Sequence, residues 1–516
     1  MVLLAALLIT PAFATTFYVD ASRPDDAGDG LSWATAKKTM QAAVDLAVSN
    51  DVVTVTNGVY AAGARVTPGY ACPNRVVMTN AIIVQSVNGP AVTIIQGHGV
   101  PGASAVRCAY MSAGTLVGFT LTNGGTRTNG DKYYDRSGGG VNMYAGDGMV
   151  SNCLIVGNAA QDSGGGTYYG TVNHCTISQN TAQEGGGTRY GTINYCTIIE
   201  NAATYGGGTR GGTVNHCLIS GNWAYWYGGG TYAGTVNHSM ISDNWVYYYG
   251  GGACSATINH STISGNVVAH YGGGTYAGTV NNSTICANSA YAGGGTYEST
   301  VNNSTISGNT AESSGGGTQT GSVRNAIVWN NSAPQGCNYM DAELSYSCTT
   351  PAAPGMGNIT NDPVLLGAAH ISVSSPCLGA GSSSYATGAD IDGEAWRTPP
   401  AMGCDEVYPN GLTGALRVAI STPSTTTVVG AALTFSGLMD GRPLSNHWSF
   451  GDGSTTANSI QPHHAWNAPG QYEVVLTACN VDYPAGVAAT AGVTVVALDL
   501  ATFYVDVANG APSYPY

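Results

Sequence analysis

Residues Gly164–Glu184 read GGGTYYGTVNHCTISQNTAQE, and Gly185–Tyr205 read GGGTRYGTINYCTIIENAATY. The two stretches agree at the glycine triplet, at a Thr-aliphatic-Asn piece, at Cys-Thr-Ile and at an Asn near the end. The triplet opens at Gly138, Gly164, Gly185, Gly206, Gly228, Gly250, Gly272, Gly293 and Gly315, at intervals of 21 or 22 residues after a first interval of 26. Each unit holds short β-branched runs between Gly and Asn, with no helical period. Three short strands and three turns use up about that length, and successive units then stack at the parallel-strand spacing of roughly 4.8 Å. Leucine-rich repeats need a Leu framework, which these units lack, and propeller blades need about twice the length. The fold class is therefore all-β, a parallel β-helix solenoid.

Stacking in register predicts ladders of like residues. Asn158, Asn180, Asn201, Asn222, Asn244, Asn266, Asn288, Asn309 and Asn331 form one. Asn tolerates the left-handed region at a sharp turn, and stacked amides hydrogen-bond along the axis. Ile155, Ile177, Ile198, Ile219, Ile241, Ile263, Ile285, Ile306 and Ile327 form a core ladder. Cys153, Cys175, Cys196 and Cys217 are continued by Ser239, Ser261, Ser283 and Ser304, which implies a small inward position and a row of buried thiols. The glycine triplets mark a tight corner or a close approach of another backbone. Ahead of these rungs, Trp33–Val48 carries apolar residues at helical spacing and predicts a helix that caps the open end of the solenoid.

The chain has 516 residues, enough for two or three domains. Charged residues make up only 9% and the net charge is −14, so no basic face exists for nucleic acid or anionic lipid. Residues 1–14 (MVLLAALLITPAFA) read as a signal peptide ending in a small-x-small cleavage site, too short to span a bilayer. The expected location is secreted or cell-surface, where disulfides are permitted. The domains expected are the signal peptide at 1–14, the β-helix at 15–408 with regular rungs at about 138–336, and a sandwich at 412–498. A truncated second module follows at 499–516, where Thr502-Phe-Tyr-Val-Asp506 repeats Thr16-Phe-Tyr-Val-Asp20.

Thr16–Asp20, the Asp29-Gly-x-Ser-Trp33 turn, Gly118-Phe-Thr-x-Thr-Asn123 and the GGG rungs resemble bacterial extracellular right-handed β-helix repeat proteins of pectin-lyase-like fold. The closing segment (Ser375-Pro-Cys377, Asp390-Ile-Asp-Gly393, Gly403-Cys-Asp-Glu406) looks like that family's last turns. The resemblance implies a fold that hosts polysaccharide lyases and hydrolases, adhesins and other surface proteins. Between Leu412 and Ala497, Trp448-Ser-Phe-Gly-Asp-Gly453, His464-x-Trp466 and Gly470-x-Tyr-x-Val-x-Leu476 are similar to a PKD-type domain, an immunoglobulin-like sandwich. That similarity implies a spacer or a carbohydrate-contacting module.

Four groups of residues are candidates for chemistry. Asp131, Lys132, Asp135 and Arg136 form the richest charged patch, in the irregular loop Arg127–Arg136, and are the catalytic or calcium-binding candidates; no other cofactor is expected. His216, His238 and His260 share one repeat position and are the metal-ligand candidates. Cys337 with Cys348, and Cys377 with Cys404, are the disulfide candidates. Tyr205, Tyr225, Trp226, Tyr227, Tyr247, Tyr249 and Tyr271 recur before successive triplets, and a turn-exposed strip of such rings suits the apolar faces of sugars. Acids are scattered among the rungs, and Arg189 and Arg210 stack as solvated turn residues. The expected function is a non-catalytic adhesin or stalk with an extracellular polysaccharide or cell-surface glycan as partner; the alternative is a polysaccharide lyase or glycoside hydrolase.

Overall fold

A computed structural model describes residues 14–144, 146–408, 415–422, 424–460 and 462–497. The expected leader, apart from Ala14, and the expected second module at 499–516 lie outside the described residues. The chain divides into two compact units. One runs to residue 361 and includes 379–406; the other takes 362–378 and the chain from 407 onward. Residues 362–378, expected within the solenoid, thus group with the C-terminal unit, where Asn446 donates to the Leu366 carbonyl at 3.3 Å.

The first unit is a parallel β-helix. Three sheets of fourteen, thirteen and thirteen strands run its length. The first opens with Thr16–Val19 and ends with Glu343–Ser345, the second runs from Gly58–Tyr60 to Cys348–Thr349, and the third from Arg65–Val66 to Tyr339–Met340. Within these three sheets the rungs pair without slippage: Thr171, Val172 and Asn173 face Thr192, Ile193 and Asn194 on the next strand. A fourth sheet of seven strands, from Thr181–Glu184 to Thr310–Ser314, exists only in the regular rungs.

Register determines which residues form the core. The Ile ladder is fully buried from Ile155 to Ile306. Its last member is a correction: Val328, not Ile327, faces Ile306, and Ile327 faces Thr305. The Asn ladder is present and doubly bonded. Asn180 Oδ1 accepts from both the backbone N–H and the side-chain amide of Asn158, at 3.0 and 2.9 Å, and the pattern repeats to Asn331. The left-handed backbone belongs to the residue before each ladder Asn, at Gln179, Glu200, Asp243 and Ala287. The amide is therefore selected for hydrogen bonding, not for φ. A second amide ladder (Asn173, Asn194, Asn215, Asn237, Asn259, Asn281, Asn302) donates the opposite way along the axis at 2.8–2.9 Å.

Both readings of the glycine triplet hold, at different positions. The first glycine turns the corner, with φ of 63° at Gly164 and 65° at Gly185. A Cβ on the second or third would lie 2.4 Å or 2.6 Å from the next rung's carbonyl oxygen, as at Gly165 and Gly166.

The Cys/Ser ladder is a hydrogen-bond chain. Cys175 Sγ accepts the Cys153 N–H at 3.3 Å and donates to the Asn173 carbonyl at 3.2 Å. Ser261 Oγ does the same between the Ser239 N–H and the Asn259 carbonyl. Cys and Ser interchange because each is a small side chain with one donor and one acceptor.

The cap is smaller than expected: a 3-10 turn at Trp33–Thr35 and an α-helix of five residues at Met40–Val44. Two constraints stop a longer helix. Lys37 bridges Val19 as an added strand, and Asp26 Oδ1 accepts the N–H groups of Lys38 and Thr39. The edge is still covered, by extended chain more than by helix.

The C-terminal unit packs Trp448, Trp466, Phe435, Phe450, Val474, Leu476 and Val493 into one core. Each indole N–H is satisfied, Trp448 by the Ser459 carbonyl at 2.8 Å and Trp466 by that of Phe450 at 2.9 Å.

The thiol chain yields a direct test. Cys175→Ser should unfold within about 0.5 kcal/mol of the unmodified protein, and Cys175→Ala should lose about 1–3 kcal/mol, because it strands the Cys153 N–H. Chemical denaturation of the three proteins measures this, and equal losses from Ser and Ala would contradict the chain.

Candidate functional site

The aromatic candidates lie on and beside the fourth sheet, which begins where each rung leaves its ladder Asn. Its strands alternate. Ala224, Val246, Val268 and Ala290 point inward as a buried row. Trp223, Tyr225, Tyr247 and Tyr291 point out, each 39–48% exposed. The outward residues form columns: Trp223, Trp245, Val267 and Ser289 in one, Tyr225 and Tyr247 in the other.

Stacking in register turns these columns into ring stacks. Trp223 and Trp245 lie 6.0 Å apart at 9°, and Tyr225 and Tyr247 lie 5.8 Å apart at 9°. Beside them Trp226, Tyr248 and His270 stack at 4.3 and 5.0 Å. Tyr205, Tyr227, Tyr249 and Tyr271 form a half-buried stack at 5.3–5.9 Å along the corner before the triplets. The expected strip is therefore assembled, and its geometry changes how it presents itself. Inside a stack each ring covers its neighbour's face, so mainly edges and hydroxyls reach solvent.

Arg189 is buried and Arg210 only partly exposed. Both reach Glu184, and Arg189 is only 8% exposed. Arg210 also lies over the rings of Tyr205 and Tyr232, at 5.5 and 5.1 Å. This ion cluster anchors one end of the aromatic corner.

The Arg127–Arg136 loop departs from expectation. Asp135 is buried, with Oδ1 accepting the Ala71 and Cys72 N–H groups at 2.8 Å and Oδ2 accepting that of Asp131. Asp131 Oδ1 accepts from Tyr133 and Tyr134. Arg136 pairs with Asp162 at 2.8 Å. These carboxylates shape the loop, and oxygens aimed at N–H donors are poorly placed for proton transfer or for a calcium ion. Beneath the loop Arg107 is fully buried and donates to the carbonyls of Gly138, Tyr134 and Ser137 and to Asn74 Oδ1, all at 2.7–2.8 Å. The loop gathers tyrosines that periodicity did not reveal: Tyr134 stacks on Tyr70 at 3.8 Å, and Tyr133 stacks on Tyr144 at 4.9 Å.

The His candidates do stack, at 5.0 and 4.8 Å with planes 9° and 14° apart. Parallel rings direct their nitrogen lone pairs side by side, so the three do not converge on one ion as held here. Their shared position has positive φ, 52° at His216, 47° at His238 and 46° at His260, which explains why His, Asn and Tyr alternate there. Burial, then the neighbouring His260 and His216, lowers the pKa of His238. The three line an open groove of about 610 Å³ with Leu218, Met240 and Ile391. His260 Nε2 contacts the Ala389 carbonyl at 3.0 Å.

None of the thirteen cysteines is joined to another. Cys337 is exposed and its Sγ donates to the Ala333 carbonyl, whereas Cys348 is buried with its Sγ on the Asn361 carbonyl. The expected Cys377–Cys404 link is likewise not formed; both residues are buried, and Cys404 Sγ lies 3.4 Å from the Thr284 and Thr305 hydroxyls.

Residues 418–495 match the PKD domain family. The solenoid is similar to that of the pectate lyase Pel9A, at 13% identity over 76% of this chain and 96% of the other, with a TM-score of 0.33. It is also similar to the A-module of the Azotobacter vinelandii mannuronan C-5 epimerase AlgE6 (15% identity; 63% and 94% covered; TM-score 0.33) and to a rhamnogalacturonan lyase (12%; 65% and 87%; 0.28). No curated protein matches the sequence. Among the described residues no helix is long and apolar enough to cross a membrane.

If Asp135 organises its loop, Asp135→Ala should cost at least about 2 kcal/mol in thermal or denaturant unfolding, because three N–H donors lose their acceptor. Lys132→Ala should stay within about 0.5 kcal/mol. Equal effects would remove the structural role assigned to Asp135.

Proposed function

We propose that this protein acts outside the cell as a binding and structural element, with the outward face of the fourth sheet holding a polysaccharide that it does not cleave. The exposed rings of Trp223, Tyr225, Tyr247 and Tyr291 on the outward face of the fourth sheet are the observation that carries this reading. Ring edges and hydroxyls held in fixed rows by a stiff scaffold suit a partner with apolar C–H patches and a hydroxyl rim, and a pyranose has both. The stiffness comes from the ladders beneath, so little side-chain entropy remains to be lost on binding.

Support for binding over cleavage comes from the acids. Glycoside hydrolysis needs a pair of carboxyl groups flanking one bond, and lyase chemistry needs a free proton acceptor. Near the aromatic face Glu184 is tied to two arginines, and the loop acids serve backbone donors. The PKD-type unit suits a spacer on such a protein, and an extracellular setting suits both modules.

A glycan-array screen of the purified chain tests the proposal, followed by incubation of each hit with an assay for new reducing ends and for the ultraviolet absorbance of unsaturated uronates. Binding without products is expected, and the triple variant Trp223→Ala, Tyr225→Ala, Tyr247→Ala should weaken it by at least about a hundredfold while leaving the fold intact. Product formation, or undiminished binding by the triple variant, would overturn it.

A further inference from the structure

Two loops that lead into strands of the third sheet meet at a pair of tyrosines. One is 67–72, ahead of Pro73–Met78, and the other is Arg127–Arg136, ahead of Val141–Asn142. Where they meet, Tyr70 and Tyr134 stack with centroids 3.8 Å apart and planes 12° apart. The ring stacks along the solenoid axis lie at 4.3–6.0 Å, held off by the strand spacing. Tyr70 and Tyr134 come from loops far apart in sequence, so that spacing does not govern them.

We infer that Tyr70 and Tyr134 are an oxidative cross-linking site, at which a haem peroxidase using hydrogen peroxide joins the two phenol rings by a carbon–carbon bond. The inference concerns a modification of the chain itself and does not depend on what the fourth sheet binds.

The backbone builds the pair. The Tyr70 N–H donates to the Thr67 carbonyl at 2.9 Å, and the next two N–H groups, of Ala71 and Cys72, donate to Asp135 Oδ1 at 2.8 Å. Asp135 directly follows Tyr134, whose carbonyl accepts from Nη2 of the buried Arg107 at 2.7 Å. Both rings stand on fixed backbone, so little ordering remains before they react. The two hydroxyls lie at one end of the pair: burial first, and then the neighbouring Tyr70 hydroxyl, raises the pKa of Tyr134. Near-parallel rings aligned in this sense place the Cε carbons, ortho to each hydroxyl, over their counterparts. Tyr134 meets its other neighbours differently, Tyr144 edge-on at 5.3 Å and 82° and Tyr110 tilted at 6.4 Å. Those geometries are the ordinary ones of aromatic packing, and they oppose no ortho carbons.

Each phenol gives up one electron and one proton to become a phenoxyl radical, whose unpaired spin resides partly on the ortho carbons. The two radicals pair to form one Cε–Cε bond, and the hydrogens on those carbons move to the oxygens as both rings regain aromaticity. Two electrons and two protons leave in total, and they convert one hydrogen peroxide into two waters. Tyr70 is 37% exposed and gives the oxidant its entry. The product closes a covalent loop over residues 70–134, in a chain none of whose thirteen cysteines is paired with another. Such a tie restricts the unfolded chain as a disulfide over the same span would.

The test treats the full chain, dilute, with limiting hydrogen peroxide and a haem peroxidase, and reads dityrosine fluorescence, peptide masses and melting temperature. The expected early product is a monomer lighter by two hydrogens, with the peptides of Tyr70 and Tyr134 joined, that melts about 5 °C higher than the untreated chain. Tyr70→Phe and Tyr134→Phe each keep a stacked ring and lose one hydroxyl. Untreated, both should melt with the unmodified chain; treated, both should lack the link and the rise. Tyr291→Phe, on the fourth sheet, should cross-link as the unmodified chain does. First links between chains or at Tyr133 and Tyr144, with the Tyr70 and Tyr134 peptides intact, would overturn the site, as would undiminished early fluorescence from Tyr70→Phe.

Discussion

Outside the register shifts of the fourth sheet, each residue of the regular rungs sits directly above and below its own counterpart, at roughly the parallel-strand spacing. A side chain therefore survives at a rung position only if it tolerates copies of itself at about 5 Å. Amides do, because each accepts from one neighbour and donates to the next. Thiols and hydroxyls do by the same logic, as the interchange of Cys217 and Ser239 shows. Aliphatic residues do by packing. Like charges do not: a charged column would repel itself over the whole solenoid. The 9% charged content follows from this rule, and so does the arrangement of Glu184 between Arg189 and Arg210.

Aromatic columns obey the rule too well. Rings stacked along the axis stabilise one another and in doing so cover the surfaces through which they would hold a sugar. A repeat that is perfect at an aromatic position is structure; the departure from it opens a surface. The Val267–Ala269 rung is such a departure, and it exists because the chain places two small residues where the preceding rung has Trp245 and Tyr247.

Much of this was legible in the sequence. The period, the parallel β-helix and the Asn158–Asn331 and Cys153–Ser304 ladders follow from spacing, and the sandwich around Trp448 and Trp466 from the resemblance of its motifs to a PKD-type domain. Where periodicity stops, legibility stops with it. Tyr70, Tyr134 and Tyr144 occupy no repeat position, and only the loop folded on buried Arg107 brings Tyr134 to both. Asp131 and Asp135 read as a charged patch because nothing in a string of letters shows that their oxygens face backbone N–H groups. The Ile327 misassignment came from counting one residue type where register is counted in pairs. The alternation Trp223-Ala224-Tyr225 was visible, yet its meaning as a fourth sheet depended on knowing that each strand had equivalents above and below.

The central claim is that polysaccharide rests on the outward columns of the fourth sheet. Hydroxyl-radical footprinting of the full chain, with and without a polysaccharide found to bind it, reads that surface ring by ring. The account predicts reduced labelling of Trp223, Trp245, Tyr225, Tyr247 and Tyr291 and no change at Tyr195. Protection centred instead on the His216–His260 groove or on Tyr133 and Tyr144, with those five rings labelled as before, would contradict it.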